Sequence, residues 1–280
     1  MSAPPAETDI AGALAWARGH IQPSDARLLL RHVCRASAAH LAAWPEEVLH
    51  VAQWRTFQQL VERRTAGEPI AYLTGEREFY GRPFLVNASV LIPRPETELL
   101  VELSIARFAA VHRPRVLDLG TGSGILAITL ALELDRPEVT ATDISRDALA
   151  LANTNALRLG AGITFLWSDW YTLLRRNDRF QLIVANPPYI VEDDPHLAQG
   201  DLRFEPLTAL ASGPDGLRAL AAIIAGAGRH LEDGGWLFLE HGYNQADAVR
   251  ALLADAGFTH IASWKDIADI DRVCAGCWAG

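Results

Sequence analysis

The chain has 280 residues, half of them hydrophobic and about a fifth charged, with a formal net charge of −9. That length can bury a sizeable core and falls between the usual sizes of one domain and two, and the composition excludes disordered and disulfide-rich classes. The acidic balance gives no broad attraction to phosphate backbones or anionic lipid, so neither direct nucleic-acid binding nor a membrane partner is expected.

The opening "MSAPPAETDI" has no basic region followed by an apolar core, and apolar runs such as "ILAITLALEL" are too short to cross a bilayer. A cytoplasmic protein is the expectation. Up to about residue 70 the pattern is helical, with Ser24 read as the N-cap of "DARLLLRHVCRA". A longer helix is expected after Pro45, with Val48, Val51, Phe57, Leu60 and Val61 close to one face and Gly67 and Pro69 ending it. Between residues 70 and 92 the texture becomes β-rich, "EFYGRPFLV" and "SVLI", with Gly81 at a turn. A helix from "PRPETE" to about residue 110 leads into alternating strands and helices, with strands expected at 115–119, 139–143, 163–166, 181–185, 235–240 and 258–263. This is the pattern of an α/β doubly wound sheet. The domain reading is 1–70 helical, 71–95 a β-hairpin linker, and 96–280 the sheet domain.

"RVLDLGTGSGILAITLAL" puts Gly120, Gly122 and Gly124 between an apolar strand and an apolar helix, where backbone can approach a ligand and helix amides face it. A dinucleotide fingerprint would need glycine where Ile125 stands, which disfavours a nicotinamide cofactor. Asp143 closes the next strand, where a carboxylate can accept both hydroxyl hydrogens of a ribose; capping the following helix is the competing use. After the third strand "SDW" brings Trp170 beside the same crevice, as an adenine platform or as simple packing. After the fourth, "IVANPPYI" offers the Asn186 amide, the N–H-free backbone of Pro187 and Pro188, and the flat ring of Tyr189. Hydrogen-bond acceptors so placed suit a planar –NH₂ group, in a carboxamide or an exocyclic base amine, whose delocalised lone pair must be localised before it attacks an electrophile.

"VLDLGTGSG", "ATD", "SDW" and "IVANPPYI" resemble the successive motifs of class I S-adenosylmethionine-dependent methyltransferases that act on planar nitrogens. "PIAYLTGEREFYG", "LIPRPETE", "NPPYI", "DPHLAQGDLRFEPLTAL" and "LFLEHGYNQ" are similar to the peptide chain release factor glutamine methyltransferase family, from about residue 69 to the end. The resemblance implies a Rossmann-like methyltransferase sheet, and methyl transfer from S-adenosylmethionine to the glutamine amide of the Gly-Gly-Gln motif of bacterial class-1 release factors. Carried over by position, Gly120, Thr121, Gly122, Ser123, Gly124, Asp143, Trp170 and Asn186 would contact the cofactor. Asn186, Pro187, Pro188 and Tyr189 would hold the glutamine, with Asn186, Pro187 and Tyr189 as the catalytic set and no metal. The helical N-terminus would recognise substrate, and the long segment 191–207 could cover it. Arg94, Glu98, Glu205 and Glu240 lie in similar segments but receive no role at this stage.

Other readings make different demands. An adenine amino-methyltransferase could use the same Asn-Pro-Pro-Tyr run but should carry a basic surface, whereas a glutamine methyltransferase of a ribosomal protein shares the chemistry. A non-catalytic scaffold should have lost motif residues, and here the motifs are intact. Cys274 and Cys277 are expected as structural thiols in a terminal strand, because no further ligands stand at zinc spacing.

Overall fold

Apolar residues at helical spacing form the N-terminal unit of the computed structural model, which describes residues 8–280. Contacts divide the chain after Glu76, leaving Arg77–Gly280 as the second unit. In the first, α1 (Ile10–Ala17), α2 (Pro23–Cys34), α3 (Ala38–Ala43), α4 (Val51–Thr65) and α5 (Ile70–Thr74) enclose a core that includes Leu29, Leu30, Trp54, Phe57 and Leu60. Arg64 Nε donates to Asp25 Oδ2 at 2.8 Å and ties α4 to α2.

Two local expectations are corrected here. Helix α2 begins at Pro23 with Gln22 as N-cap, so Ser24 is already inside the first turn. Proline at the first helical position has its φ preset and lacks an amide hydrogen that would have no helical partner there. Helix α4 starts at Val51, and Val48 lies outside it, 64% exposed. The backbone around Val48 is used elsewhere: Glu47 O and Pro45 O accept from the N–H groups of Ile10 and Ala11 in the first turn of α1.

The boundary falls at the first residue of a hairpin, β1 (Glu76–Phe79) and β2 (Arg82–Leu85), turning through Tyr80 and Gly81, both at positive φ. "SVLI" does not continue it as a strand, although Val90 and Ile92 are buried, because Val90 N turns back to Asn87 O and Ile92 N donates to Glu205 Oε2. Then follow α6 (Glu98–Phe108), β3 (Arg115–Leu119), α7 (Ile125–Glu133), β4 (Glu138–Asp143), α8 (Arg146–Leu159), β5 (Ile163–Trp167) and β6 (Phe180–Ala185). The chain ends with α9 (Arg218–Ala227), β7 (Leu231–Glu240), α10 (Ala246–Asp255), β8 (Phe258–Lys265) and β9 (Asp271–Trp278).

The strands form one seven-stranded sheet in the order β5-β4-β3-β6-β7-β9-β8, with β9 antiparallel to both of its neighbours and the rest of the order parallel. One core includes residues of the hairpin, α6, α7 and α8; the other includes residues of α9 and α10. Both faces are therefore covered, which is why β3 and β6 read as continuous apolar runs. The chain steps outward from β3 to β4 and β5, then crosses back to β6 on the other side of β3. That reversal opens a crevice beyond the carboxyl ends of β3 and β6. Cys274 and Cys277 lie in β9 as free thiols, and among the described residues no group of three or more His, Cys, Asp or Glu side chains could hold a metal ion. No described helix is long and apolar enough to cross a membrane.

Candidate active site

The crevice is a cavity of about 540 Å³, a volume typical of small-ligand sites. Its first wall is the loop between β3 and α7. Gly122 has φ +55°, and a Cβ built there would meet nothing within 4 Å. Gly120, at φ +72°, has the edge of the Trp170 ring 3.2 Å from where its Cβ would stand. A side chain at position 120 would thus displace the indole. Trp170 itself has φ +44°, a conformation rare for a bulky residue, and it holds its ring against the loop.

Two carboxylates fasten the loop. Asp118, fully buried at the end of β3, accepts from Thr121 Oγ1 at 2.6 Å and from Ala127 N at 3.2 Å through Oδ2. Burial pushes its pKa up to about 7, against these two bonds. At the end of β4, Asp143 accepts from Gly122 N through Oδ2 and from Ser145 N through Oδ1, each at 2.8 Å. Burial also raises the Asp143 pKa, while the bonds from Ser145, Gly122 and Ile144 oppose the shift. The capping role lies with Ser145, whose Oγ accepts from Ala148 N, so Asp143 is not the N-cap of α8. Buried Asn155 of α8 joins the hairpin to the loop, exchanging bonds with Leu85 and donating to Ser123 O at 2.9 Å.

The opposite wall is the turn after β6. Asn186 Nδ2 donates to Thr97 Oγ1 at 3.1 Å, while Asn186 Oδ1 is buried and has no hydrogen-bond partner. Pro187 and Pro188 line the cavity beside it. Tyr189 is placed differently: it is absent from the lining, and its hydroxyl donates to Glu240 Oε1 at 3.3 Å. Glu240 ends β7, is 1% exposed, and has its pKa raised to about 7 by burial, against the nearby hydroxyls of Thr97 and Tyr189 and the charge of Arg272. Its Oε2 has no partner.

The segment between β6 and α9 forms a third side. Pro206, Thr208, Ala209, Ala211 and Ser212 line the cavity, and Ile190 forms a parallel bridge with Ala211. Glu205 anchors the segment by accepting from Ile92 N at 3.0 Å and pairing with Arg94.

The structure brings Gly120, Thr121, Gly122, Ser123, Asp143, Trp170, Asn186, Pro187 and Pro188 to one cavity, with Gly124 and Tyr189 just outside its lining. A Cβ at Gly124 would stand 2.8 Å from Ile128 Cδ1 and 3.2 Å from Ala152 Cβ, so this glycine serves helix packing. Sequence reasoning missed Thr97, Asp118 and Asn155 and gave Glu240 and Glu205 no role. An acid inside or closing an apolar strand, as in "VLDL" and "WLFLE", was the available signal. Thr97 has no such signal.

Residues 10–75 match the family described as the PrmC N-terminal domain, and residues 96–200 match the methyltransferase small domain. The release factor glutamine methyltransferase of Bordetella pertussis is 52% identical over 255 residues, covering 90% of this chain and 93% of that protein. The release factor glutamine methyltransferase of Shewanella oneidensis is 44% identical over 278 residues, covering 97% of this chain and 96% of its own. Among solved structures, the T. thermophilus 16S rRNA N2 G1207 methyltransferase in complex with AdoMet and guanosine superimposes with a TM-score of 0.53 at 23% identity. It covers 72% of this chain and 49% of that one, a likeness of fold.

Proposed function

This chain belongs to the release factor glutamine methyltransferase family, and from that premise we propose that it transfers a methyl group from S-adenosylmethionine to the side-chain amide nitrogen of a release factor glutamine. The target is the glutamine of the Gly-Gly-Gln motif of bacterial class-1 release factors, and the reaction takes place in the cytoplasm. The observation that carries the proposal is Asn186 Oδ1: a buried acceptor without a partner, on the wall of a cavity of suitable volume. An orphaned buried acceptor is costly unless a ligand donor completes it, and the two hydrogens of a carboxamide are such donors.

The residues fit the cofactor as well. Gly122, with open space before it, admits close approach of a ligand to the backbone, Asp143 accepts ribose hydroxyls, and the Trp170 ring forms an apolar wall. When bound, S-adenosylmethionine would supply a sulfonium methyl group to a nucleophile aligned behind its carbon; the C–S bond would break to leave S-adenosylhomocysteine, and the methylated nitrogen would release one hydrogen as a proton to solvent. Asn186 Oδ1 and backbone carbonyls of the Pro187–Pro188 turn accept the two amide hydrogens, hold them out of the plane that delocalises the nitrogen lone pair, and aim that pair. Pro187 and Pro188 contribute stiffness and the absence of competing N–H donors.

The helices up to residue 70 are proposed to recognise the protein substrate, with the hairpin region 71–95 as linker and 96–280 as catalytic domain. Contacts remote from the chemistry orient a large substrate before its glutamine enters. Purified protein incubated with labelled S-adenosylmethionine should label a release factor, but neither its variant lacking the Gly-Gly-Gln glutamine nor DNA, RNA or ribosomal protein. Label on a nucleic acid or a ribosomal protein instead would replace the proposal. A chain beginning near Pro69 should still bind S-adenosylmethionine yet methylate intact release factor poorly, while the two forms differ little on a short Gly-Gly-Gln peptide. Full activity on intact release factor would remove the recognition role from the helices.

A further inference from the structure

Two prolines in succession leave a turn with little means of holding itself. Pro187 and Pro188 have φ fixed by their rings and carry no amide hydrogen, so neither can donate a bond that sets where its carbonyl points. The direction must come from the ends of the turn. Before it, Ala185 is paired on both sides, with Leu119 of β3 and Leu239 of β7. After it, the peptide unit joining Tyr189 to Ile190 is held at both edges: Ile190 N donates to Leu210 O at 2.9 Å, and Tyr189 O accepts from Gln245 Nε2 at 3.0 Å.

Gln245 stands at the N-cap of α10, yet its side chain makes no capping bond. That side chain is buried, and its Oε1 accepts from Gly242 N at 2.8 Å in the turn that leaves β7. Both partners are backbone groups with one possible role each, an N–H that donates and a carbonyl that accepts. The two ends of the Gln245 amide are therefore assigned without reference to the charge of any group. Gly216 shows how closely this contact is built. At φ +73°, a Cβ there would stand 2.3 Å from Tyr189 O and 2.7 Å from Gln245 Nε2. Only glycine lets that segment pass beside the bond. Gln245 does not line the cavity, whereas Pro187 and Pro188 do.

We propose that Gln245 is a positioning residue for methyl transfer: by holding the Tyr189 carbonyl it fixes the far end of the Pro187–Pro188 turn, and so the direction in which the turn's carbonyls meet the hydrogens of the target amide. The role rests on the methyl transfer proposed above. With φ set at both prolines, ψ is the remaining soft angle at each, and releasing the 189–190 peptide unit lets both drift. The acceptors then leave the line along which the nitrogen lone pair is aimed. Asp143 and the glycine loop, on the other wall, keep their bonds.

Gln245→Met removes donor and acceptor at similar length, and Gly216→Ala presses a methyl group on the same carbonyl from another side. Gly234→Ala is the control, because φ is +78° there too but nothing lies within 4 Å of the added Cβ. Single-turnover transfer at saturating S-adenosylmethionine should slow about tenfold or more in Q245M and G216A, the scale of one buried hydrogen bond, and stay within about twofold in G234A. S-adenosylmethionine affinity by calorimetry should change less than about threefold in all three. Tyr-Ile occurs once in the chain, so labelling tyrosine carbonyl carbon and isoleucine amide nitrogen gives one NMR signal, from the Tyr189–Ile190 peptide. That carbonyl should move in Q245M and G216A as its hydrogen bond is lost or displaced, and stay in place in G234A. Transfer at the unsubstituted rate by folded Q245M overturns the proposal, as does an unmoved Tyr189 carbonyl or an affinity loss as large as the rate loss. If Q245M does not fold, G216A against G234A decides on both readouts. Absence of transfer to any release factor by the unsubstituted enzyme would instead refute the function, while the carbonyl signal would still judge the hold on Tyr189.

Discussion

The two walls of the cavity differ in how Asp143 and Asn186, polar side chains that line them, are satisfied. At the glycine loop, both oxygens of Asp143 accept backbone N–H groups, from Gly122 and Ser145. At the Pro-Pro turn, Asn186 is bonded on one side only, whereas the buried carboxylate behind each wall, Asp118 or Glu240, has one bare oxygen. Asp143 is partly exposed, so water or a ligand's hydroxyls can reach its carboxylate while its bonds to Gly122 and Ser145 are kept. A buried group that must discriminate between a donor and an acceptor on its substrate keeps its free valence for that substrate. The same contrast separates binding from chemistry: loss on the first wall should lower cofactor affinity, and loss on the second should lower rate.

The largest expected effect is at Asn186. Asn186→Ala should cut the single-turnover rate about a hundredfold or more at saturating S-adenosylmethionine, as removal of a preorganised polar group does. Cofactor affinity measured by calorimetry should fall much less. If instead affinity collapses and saturated turnover is normal, the two walls have no division of labour.

Glu240 comes next, and its effect is on stability. Its pKa in the folded state, about 7, lies above its ordinary 4.5 because burial disfavours the charge, so between those values the folded protein holds a proton that the unfolded chain has released. Stability therefore falls as pH rises through this window and levels off above it. At about 1.4 kcal/mol per pH unit, the contribution lost by pH 8 is up to about 3 kcal/mol. Glu240→Gln should abolish that slope and melt higher than the unsubstituted enzyme at pH 8, with little difference at pH 5. Asp118 is raised in the same direction and will leave a residual slope in the variant. A Glu240→Gln protein less stable than the unsubstituted one at pH 8 would show that the charge is well accommodated.

Asp143→Ala should weaken S-adenosylmethionine binding by about 1.5–3 kcal/mol, the range for hydrogen bonds to a charged group. Its saturated single-turnover rate should remain close to that of the unsubstituted enzyme. Unchanged affinity in calorimetry would remove Asp143 from the binding wall.

The glycine-loop wall is far more legible in the sequence than the wall at the Pro-Pro turn. Gly120, Gly122 and Asp143 follow from strand ends and turn chemistry, which are local, and β3 to β6 stand within about a residue of their expected ends because buried parallel strands read as uninterrupted apolar runs. Strand β7 starts earlier than expected, at Leu231, since "EDGG" looks like loop until Leu231 pairs with Phe180. The wall behind Asn186 is assembled from positions 97, 186, 189 and 240, which meet only through the crossing order of the sheet. A lone threonine ahead of a helix reads as a cap, and a glutamate closing a strand reads as surface. Only their mutual burial says otherwise. Tyr189 shows the converse: its place in the motif suggested a wall for the substrate, whereas its hydroxyl is spent on Glu240.

The smallest effect distinguishes two glycines of one loop. Gly122 and Gly124 both have positive φ, at +55° and +89°, so alanine at either costs about 1 kcal/mol of backbone strain. At Gly122 nothing lies within 4 Å of the added methyl group, so Gly122→Ala should lose only about that much stability by thermal melting. The same methyl group would stand in the open space proposed for the cofactor, and S-adenosylmethionine affinity should drop further than the melting shift accounts for. At Gly124 the methyl group meets Ile128 and Ala152, so Gly124→Ala should lose more stability than Gly122→Ala, with any affinity loss following from the disturbed loop. If Gly122→Ala binds S-adenosylmethionine normally, the open space before Gly122 is not the cofactor's, and the binding wall must be redrawn around Asp143 and Trp170.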